Sequence, residues 1–326
     1  MVIKKIMVFF GLVWSLSASA SDMINGSGSS FVYPVMAQWT SAYYQKTGQK
    51  INYQPIGSSG GINQLAAKTV SFAASDQPLP SAELKKRGWH QFPIAMSGIV
   101  PVINIPGINT DVLILNGKIL AGIYLGEYKY WDNADIQALN PSLKLPHLMI
   151  IPVHRADGSG TTFNFSYYLS EVSTEFKQKL GVNTLISWPG MGIGGKGNAG
   201  VANQVENISG AIGYVEYAYC AQSHLKSARM VNQSGQVVSA NLDSFSAAVE
   251  GASWSKQNDF YLILANQAGM KAWPMVATTF ILVPNQAKDK AVLQPFFKWV
   301  FGQGQQAARD LDYVTLAKHV YASVTW

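Results

Sequence analysis

The chain is expected to fold as an α/β protein of two lobes, on three observations. Strand-like and helix-like runs alternate from Ser21 onward, which favours α/β units with mainly parallel sheets. The 326 residues suffice for two domains. No repeat or low-complexity linker separates the halves, so the chain is expected to cross between lobes more than once. Of the residues, 48% are hydrophobic and only 13% charged, against about 25% charged in an average soluble protein, which excludes a disordered chain.

The elements follow in order. Residues 1–20 carry Lys4 and Lys5, an apolar run over 6–16 and the small residues Ala18-Ser19-Ala20, the pattern of a cleavable signal peptide. The run is short of the ~20 residues that span a bilayer, and no cysteine near the cleavage point offers a lipid anchor. The mature protein is therefore expected free in an exported compartment such as a periplasm. Removing the leader lowers the net charge from +6 to +4, too dilute for a nucleic-acid partner. A helix is predicted over 34–46, with Pro34 in its first turn, Val35, Trp39 and Tyr43 on one face, and Gly48 past its end. Residues 50–56 read as a strand, and 81–87 as a short helix whose Lys85-Lys86-Arg87 run suits the negative helix end before Gly88. Residues 99–105 read as a buried strand leaving the first lobe, with Pro101 marking an edge or bend. A second lobe follows and includes six glycines between Gly190 and Gly200. Residues 279–283 read as a strand, and the tail from Asp289 as helical with a break at Gly302 and Gly304. The expected division is 21–104 plus 279–326 for lobe I and 105–278 for lobe II.

Three segments share one design, a Gly/Ser-rich turn after a strand-like run and before a helix-like run. They are Gly26-Ser27-Gly28-Ser29-Ser30-Phe31, Gly57-Ser58-Ser59-Gly60-Gly61 before 62–68, and Asp157-Gly158-Ser159-Gly160-Thr161-Thr162 before 163–169. One such turn serves simply as a helix cap. Three of them, if convergent, would aim backbone N–H groups and hydroxyls at one anion. Arg155 and Asp157 stand two apart, so an extended segment places them on one side, where the carboxylate can hold the guanidinium toward a ligand. Asp76 follows the apolar stretch Phe72-Ala73-Ala74-Ser75 and would repel a fully ionised anion, so it favours a ligand that carries a proton.

Rival motifs are weaker. Gly57 to Gly61 spells the nucleophile elbow, with Ser59 as nucleophile and His319 as a late histidine, but no acid completes the pattern. Gly190 to Lys196 approaches a phosphate loop but continues with Gly197 where Ser or Thr is needed. The five histidines contain no metal-ligand spacing, and the lone Cys220 reads as a buried apolar residue. Trp39, Trp131, Trp188 and Trp273 read as packing. No cofactor is expected.

Taken together, the segments resemble the periplasmic phosphate-binding proteins of bacterial phosphate-specific ABC uptake systems. The resemblance rests on Gly26 to Phe31, Tyr53-Gln54-Pro55-Ile56-Gly57-Ser58, Ala74-Ser75-Asp76-Gln77-Pro78, Asn104 to Gly107, Ile123 to Gly126, Arg155 to Thr161, Gly194 to Asn198, Gly210 to Tyr217 and Ala272-Trp273-Pro274. It implies a two-lobed periplasmic binding protein fold of type II with the ligand cleft between lobes. It also implies phosphate contacts at Ser30, Phe31, Ser58, Asp76, Arg155, Ser159, Gly160 and Thr161, with Asp157 supporting Arg155. Ser30 stands where the family often has threonine. The partners implied are inorganic phosphate and an inner-membrane ABC permease complex, for a monomer that binds and does not catalyse. The same fold tuned to sulfate or molybdate is the alternative, with a secreted serine hydrolase using Ser59 a distant third.

Overall fold

A computed structural model describes residues 23–190 and 192–324. The expected signal peptide lies outside the described residues. In chain order the strands are β1 (Ile24–Gly28), β2 (Ile51–Gln54), β3 (Phe72–Ser75), β4 (Trp89–Ile103), β5 (Ile114–Leu115), β6 (Ile151–Arg155), β7 (Ile193–Gly195), β8 (Ala211–Glu216), β9 (Lys226–Ser227), β10 (Arg229–Val231), β11 (Val237–Val238) and β12 (Val276–Pro284). The helices are α1 (Tyr33–Thr47), α2 (Ser58–Ala66), α3 (Ser81–Arg87), α4 (Gly117–Tyr124), α5 (Ala134–Leu139), α6 (Gly160–Val172), α7 (Thr174–Lys179), α8 (Gly197–Asn207), α9 (Tyr217–Gln222), α10 (Leu242–Val249), α11 (Lys290–Phe301), α12 (Gln305–Arg309) and α13 (Lys318–Ala322).

The main sheet runs β2-β1-β3-β12-β4-β8-β6-β7, with β9 beside β4. Its middle strand, β4, serves two lobes. Residues 89–98 pair with β12, and 99–103 pair with β8. The chain passes into the second half along β4 and returns along β12 in the opposite direction. That return makes the sheet mixed, where mainly parallel pairing was expected. β1 runs parallel to β2 and β3, and β6 to β7 and β8, whereas β12 is antiparallel to β3 and β4 and β4 is antiparallel to β8.

The strand expected at 99–105 begins ten residues earlier, at Trp89, and its Pro101 does not mark an edge. Ile99 N–H donates to Met275 O, and Pro101 O accepts from Ala228 N–H. Residues of this parity face the side where β12 stops and β9 takes over, so the missing N–H of Pro101 falls in the gap between the two partners. A register shift between Thr279 and Phe280, opposite Ala95 and Pro93, bulges the β12–β4 pair and re-aims Thr279.

Helix α1 extends one residue beyond the expected span at each end. Val35, Trp39 and Tyr43 are buried, and Gly48 closes the helix in the left-handed region at φ 74°. In α11 the buried residues Leu293, Phe296, Phe297, Val300 and Phe301 fall on one stripe at i, i+3, i+4, i+7 and i+8. Each is stabilised by about 1.5–3 kcal/mol through burial. The stripe docks on the first half, where Phe297 meets Phe72 and Phe92 edge-on and Phe296 meets Tyr43. In the second half Tyr124, Phe165, Trp188 and Tyr214 pack as an aromatic group. Trp39, Trp131 and Trp273 are buried, and their indole N–H groups donate to the carbonyls of Gly304, Gly210 and Ile99. Cys220 is buried, and that burial pushes its thiol up to about 12.

Glu216, at the end of β8, is fully buried beside the crossing strand. Its Oε1 accepts from Ser97 Oγ at 2.8 Å and from Ala218 N–H at 2.9 Å. Burial pushes its carboxyl up to about 8, so the folded protein holds a proton that the unfolded chain releases near 4.5. Stability from this group is therefore complete below about pH 4.5 and is lost as pH rises toward 8. Glu216→Gln keeps the shape without the ionisation. Its melting temperature should match wild type near pH 5 and exceed it near pH 9, and a constant difference across that range would refute the assignment.

Candidate functional site

The three Gly/Ser turns do precede helices; α1 opens at Tyr33, just past its turn, whereas the other two start earlier than expected, inside their turns. α2 opens at Ser58 and α6 at Gly160. A fourth helix N-terminus joins them, α8 at Gly197. The N-cap positions of α1, α2 and α8 make no side-chain cap, so these ends present amide groups that their own caps do not satisfy. Only α6 is capped within itself, by Ser159 Oγ accepting from Thr162 N–H at 3.0 Å.

Asp76 stands at the meeting point, 1% exposed, just past β3. Ser29 Oγ donates to both its carboxylate oxygens at 2.6 and 2.7 Å, and Thr279 Oγ1, delivered by the β12 bulge, donates at 2.7 Å. Burial pushes its carboxyl up to about 6, a rise held in check by these hydroxyls and by Arg155.

Ser58 Oγ accepts from Asp76 N–H at 3.2 Å and, from the second half, Gly160 N–H at 3.1 Å. With both lone pairs engaged, its proton is what it has left to offer, and Asp76 Oδ2 is a distant acceptor at 3.5 Å. Asn164 Nδ2 ties α6 to the same point by donating to Asp76 O at 2.6 Å.

Arg155 ends β6 and is 2% exposed. Its Nε and Nη2 donate to the two oxygens of Asp157 at 2.8 and 2.6 Å, the fork expected from the two-residue spacing. Nη1 donates to Thr161 Oγ1 at 3.2 Å. Burial works to raise the Asp157 carboxyl, but the Arg155 guanidinium and the Gly197 N–H hold it below the usual carboxylate range.

Two glycines permit the approach. A Cβ on Gly160 would stand 2.5 Å from Ser58 Oγ and 2.8 Å from Asp76 N. On Gly57, where φ is +88°, it would meet Asp157 Oδ2 at 2.4 Å. The residues proposed from the sequence fall in two adjoining hydrogen-bonded sets: Phe31, Ser58 and Gly160 with Asp76, and Ser30, Thr161, Arg155 and Asp157 with Asn198, while Ser159 caps the helix that carries Gly160 and Thr161. Two of the expected backbone donors are engaged within the protein, Gly160 N–H on Ser58 Oγ and Phe31 N–H on Ser29 Oγ. Ser59 Oγ meets Thr184 Oγ1 at 3.3 Å, while His319 is exposed on α13.

The model of the PBP superfamily domain matches residues 15–303. The phosphate-binding protein PstS of Xylella fastidiosa (strain Temecula1) is 49% identical over 314 residues, covering 95% of this chain and 86% of its own length. The PstS of Haemophilus influenzae is 46% identical, covering 95% and 93%. The chain belongs to the PBP superfamily, within the PstS family. Among solved structures, a high-affinity periplasmic phosphate-binding protein (PfluDING) bound with phosphate superposes at a TM-score of 0.75, with 18% identity and 92% of each chain covered; this likeness speaks for the PBP fold.

Some residues that complete this arrangement escape sequence reasoning. Ser29 and Thr279 hold Asp76, and Asn198 links Ser30 to Thr161 by donating to both hydroxyls at 3.0 and 3.3 Å. Three tyrosines from separate elements grip three successive carbonyls. Tyr53 donates to Ser29 O at 2.8 Å, Tyr219 to Ser30 O at 2.7 Å and Tyr313 to Phe31 O at 2.7 Å. Burial raises all three phenols, so they remain donors. A signal did exist for α8, in the glycine-rich stretch from Gly190 to Gly200 that contains Asn198. No metal-holding cluster of His, Cys, Asp and Glu occurs among the described residues, and no described helix is long and apolar enough to cross a membrane.

Tyr53→Phe keeps the ring and strands the buried Ser29 carbonyl. It should lower unfolding stability by about 1–3 kcal/mol in urea titration, and an unchanged midpoint would show that the carbonyl is satisfied otherwise.

Proposed function

We propose that the protein captures inorganic phosphate between its lobes, 21–104 plus 279–326 and 105–278, and delivers it to an inner-membrane ABC permease. The observation that carries this reading is the pairing of one buried carboxylate, Asp76, with the Ser58 hydroxyl, whose lone pairs are both taken so that it has only a proton to give. Phosphate near neutral pH has oxygens that accept such donors and a proton for Asp76 to accept. Sulfate has no proton, and the ionised Asp76 repels it. In this reading Ser30, Ser58, Ser159 and Thr161 supply hydroxyl donors, Phe31 and Gly160 turn their N–H groups from Ser29 Oγ and Ser58 Oγ to the ligand, Arg155 supplies the single guanidinium, and Asp157 steers it. Charge-assisted hydrogen bonds contribute on the order of 1.5–3 kcal/mol each, and micromolar affinity requires about −8 kcal/mol after entropy costs. Eight or so contacts therefore account for tight binding without a metal.

The relatives named PstS support the same ligand. Binding without catalysis fits a family of substrate-binding proteins. A monomer exported to the periplasm by cleavage after residue 20, with no lipid anchor, completes the proposal.

Calorimetry should show tight phosphate binding and negligible sulfate binding at about pH 8. As pH falls through about 6, Asp76 takes up a proton and turns from acceptor to donor, so sulfate should gain measurable affinity. Comparable sulfate and phosphate affinity at pH 8 would overturn the reading. Gly160→Ala drives a Cβ into the backbone of Asp76. It should weaken phosphate binding by about ten- to a hundredfold and lower the melting temperature by the cost of overpacking, and unaltered affinity in the folded variant would place the ligand elsewhere.

A further inference from the structure

We infer that Asn198 is a positioning residue that compels the Ser30 and Thr161 hydroxyls to donate to the bound anion, an inference that rests on the phosphate reading above. Asn198 is fully buried at the start of α8. Its Oδ1 accepts from Glu216 N–H at 2.9 Å. A backbone N–H can only donate, so this bond fixes which end of the amide is oxygen. The NH2 group must then face the site, where it donates to Ser30 Oγ at 3.0 Å and to Thr161 Oγ1 at 3.3 Å.

Each hydroxyl accepts a second donor as well. Ser30 Oγ takes the Asn198 backbone N–H at 3.1 Å, and Thr161 Oγ1 takes Arg155 Nη1 at 3.2 Å. A hydroxyl has two lone pairs and one proton. With both lone pairs occupied, neither can accept a proton from the ligand, and each must point its O–H at an oxygen. Proton acceptance is thereby left to Asp76. Asn198 also spans the cleft, since Ser30 belongs to the turn after β1 while α8 belongs to the second half. The residue therefore governs polarity and closure together, without itself being a ligand contact.

A double-mutant cycle read by phosphate calorimetry tests this. Asn198→Ala should weaken phosphate binding by about ten- to a hundredfold in the wild-type background. In the Ser30→Ala background the same substitution should cost several-fold less, because one of its two clients is gone. Equal penalties in the two backgrounds, or no penalty, would overturn the inference, since a merely structural role adds independently. Asn198→Asp retains the acceptor for Glu216 N–H and guards against a folding defect. It should bind phosphate at least as weakly as Asn198→Ala, because both hydroxyls would then donate to the new carboxylate; wild-type affinity would overturn the role. Wild-type protein that binds no phosphate would instead remove the proposed function, and the inference with it.

Discussion

Asp76 sets the terms on which the rest of the molecule is arranged. An ionised carboxylate removed from water is tolerable only with dense hydrogen bonding. Its donors come from three places, Ser29 after β1, Ser58 at the head of α2 and Thr279 on β12. Asn164 on α6 holds its carbonyl from the second half. The parallel β1–β3 pair, the β12 bulge and the cleft contact to α6 all converge on the same group, so its burial ties the sheet to the opposing lobe.

Charge is used sparingly around this point. One guanidinium stands against two carboxylates, and Asp157 spends both its oxygens on Arg155. A site built this way carries no excess positive charge and relies on oriented N–H and O–H dipoles. Fixed dipoles need to be held, because a loop free to rotate would turn them toward water. The three tyrosines on the carbonyls of Ser29, Ser30 and Phe31 supply that restraint from β2, α9 and the segment after α12. On the proposed reading, this is how a chain with only 13% charged residues holds an anion.

Local features of the site were legible along the chain. The Arg155–Asp157 fork follows from alternation in a strand, and helix starts follow from Gly/Ser turns after strand-like runs. The parts that were not legible all depend on contacts between distant segments. Ser29 differs from its neighbours Ser27 and Ser30 only by the direction a turn gives it. Thr279 depends on a bulge, which one strand alone does not reveal. Asn198 lies 168 residues from Ser30 in sequence. The mixed sheet escaped for the same reason, because strand direction depends on where the chain crosses between lobes and local pattern carries no record of it.

By itself, the sequence determined the α/β class, the three turns, the pairing of Arg155 with Asp157 and the family. These depend on short-range geometry and on motifs that survive as strings. Only the tertiary structure decided that a fourth helix end joins the site, that tyrosines restrain the first turn and that hydroxyls are left with protons to give. Hydrogen-bond polarity is a property of the whole set of partners, and those partners meet only when the two lobes are brought together.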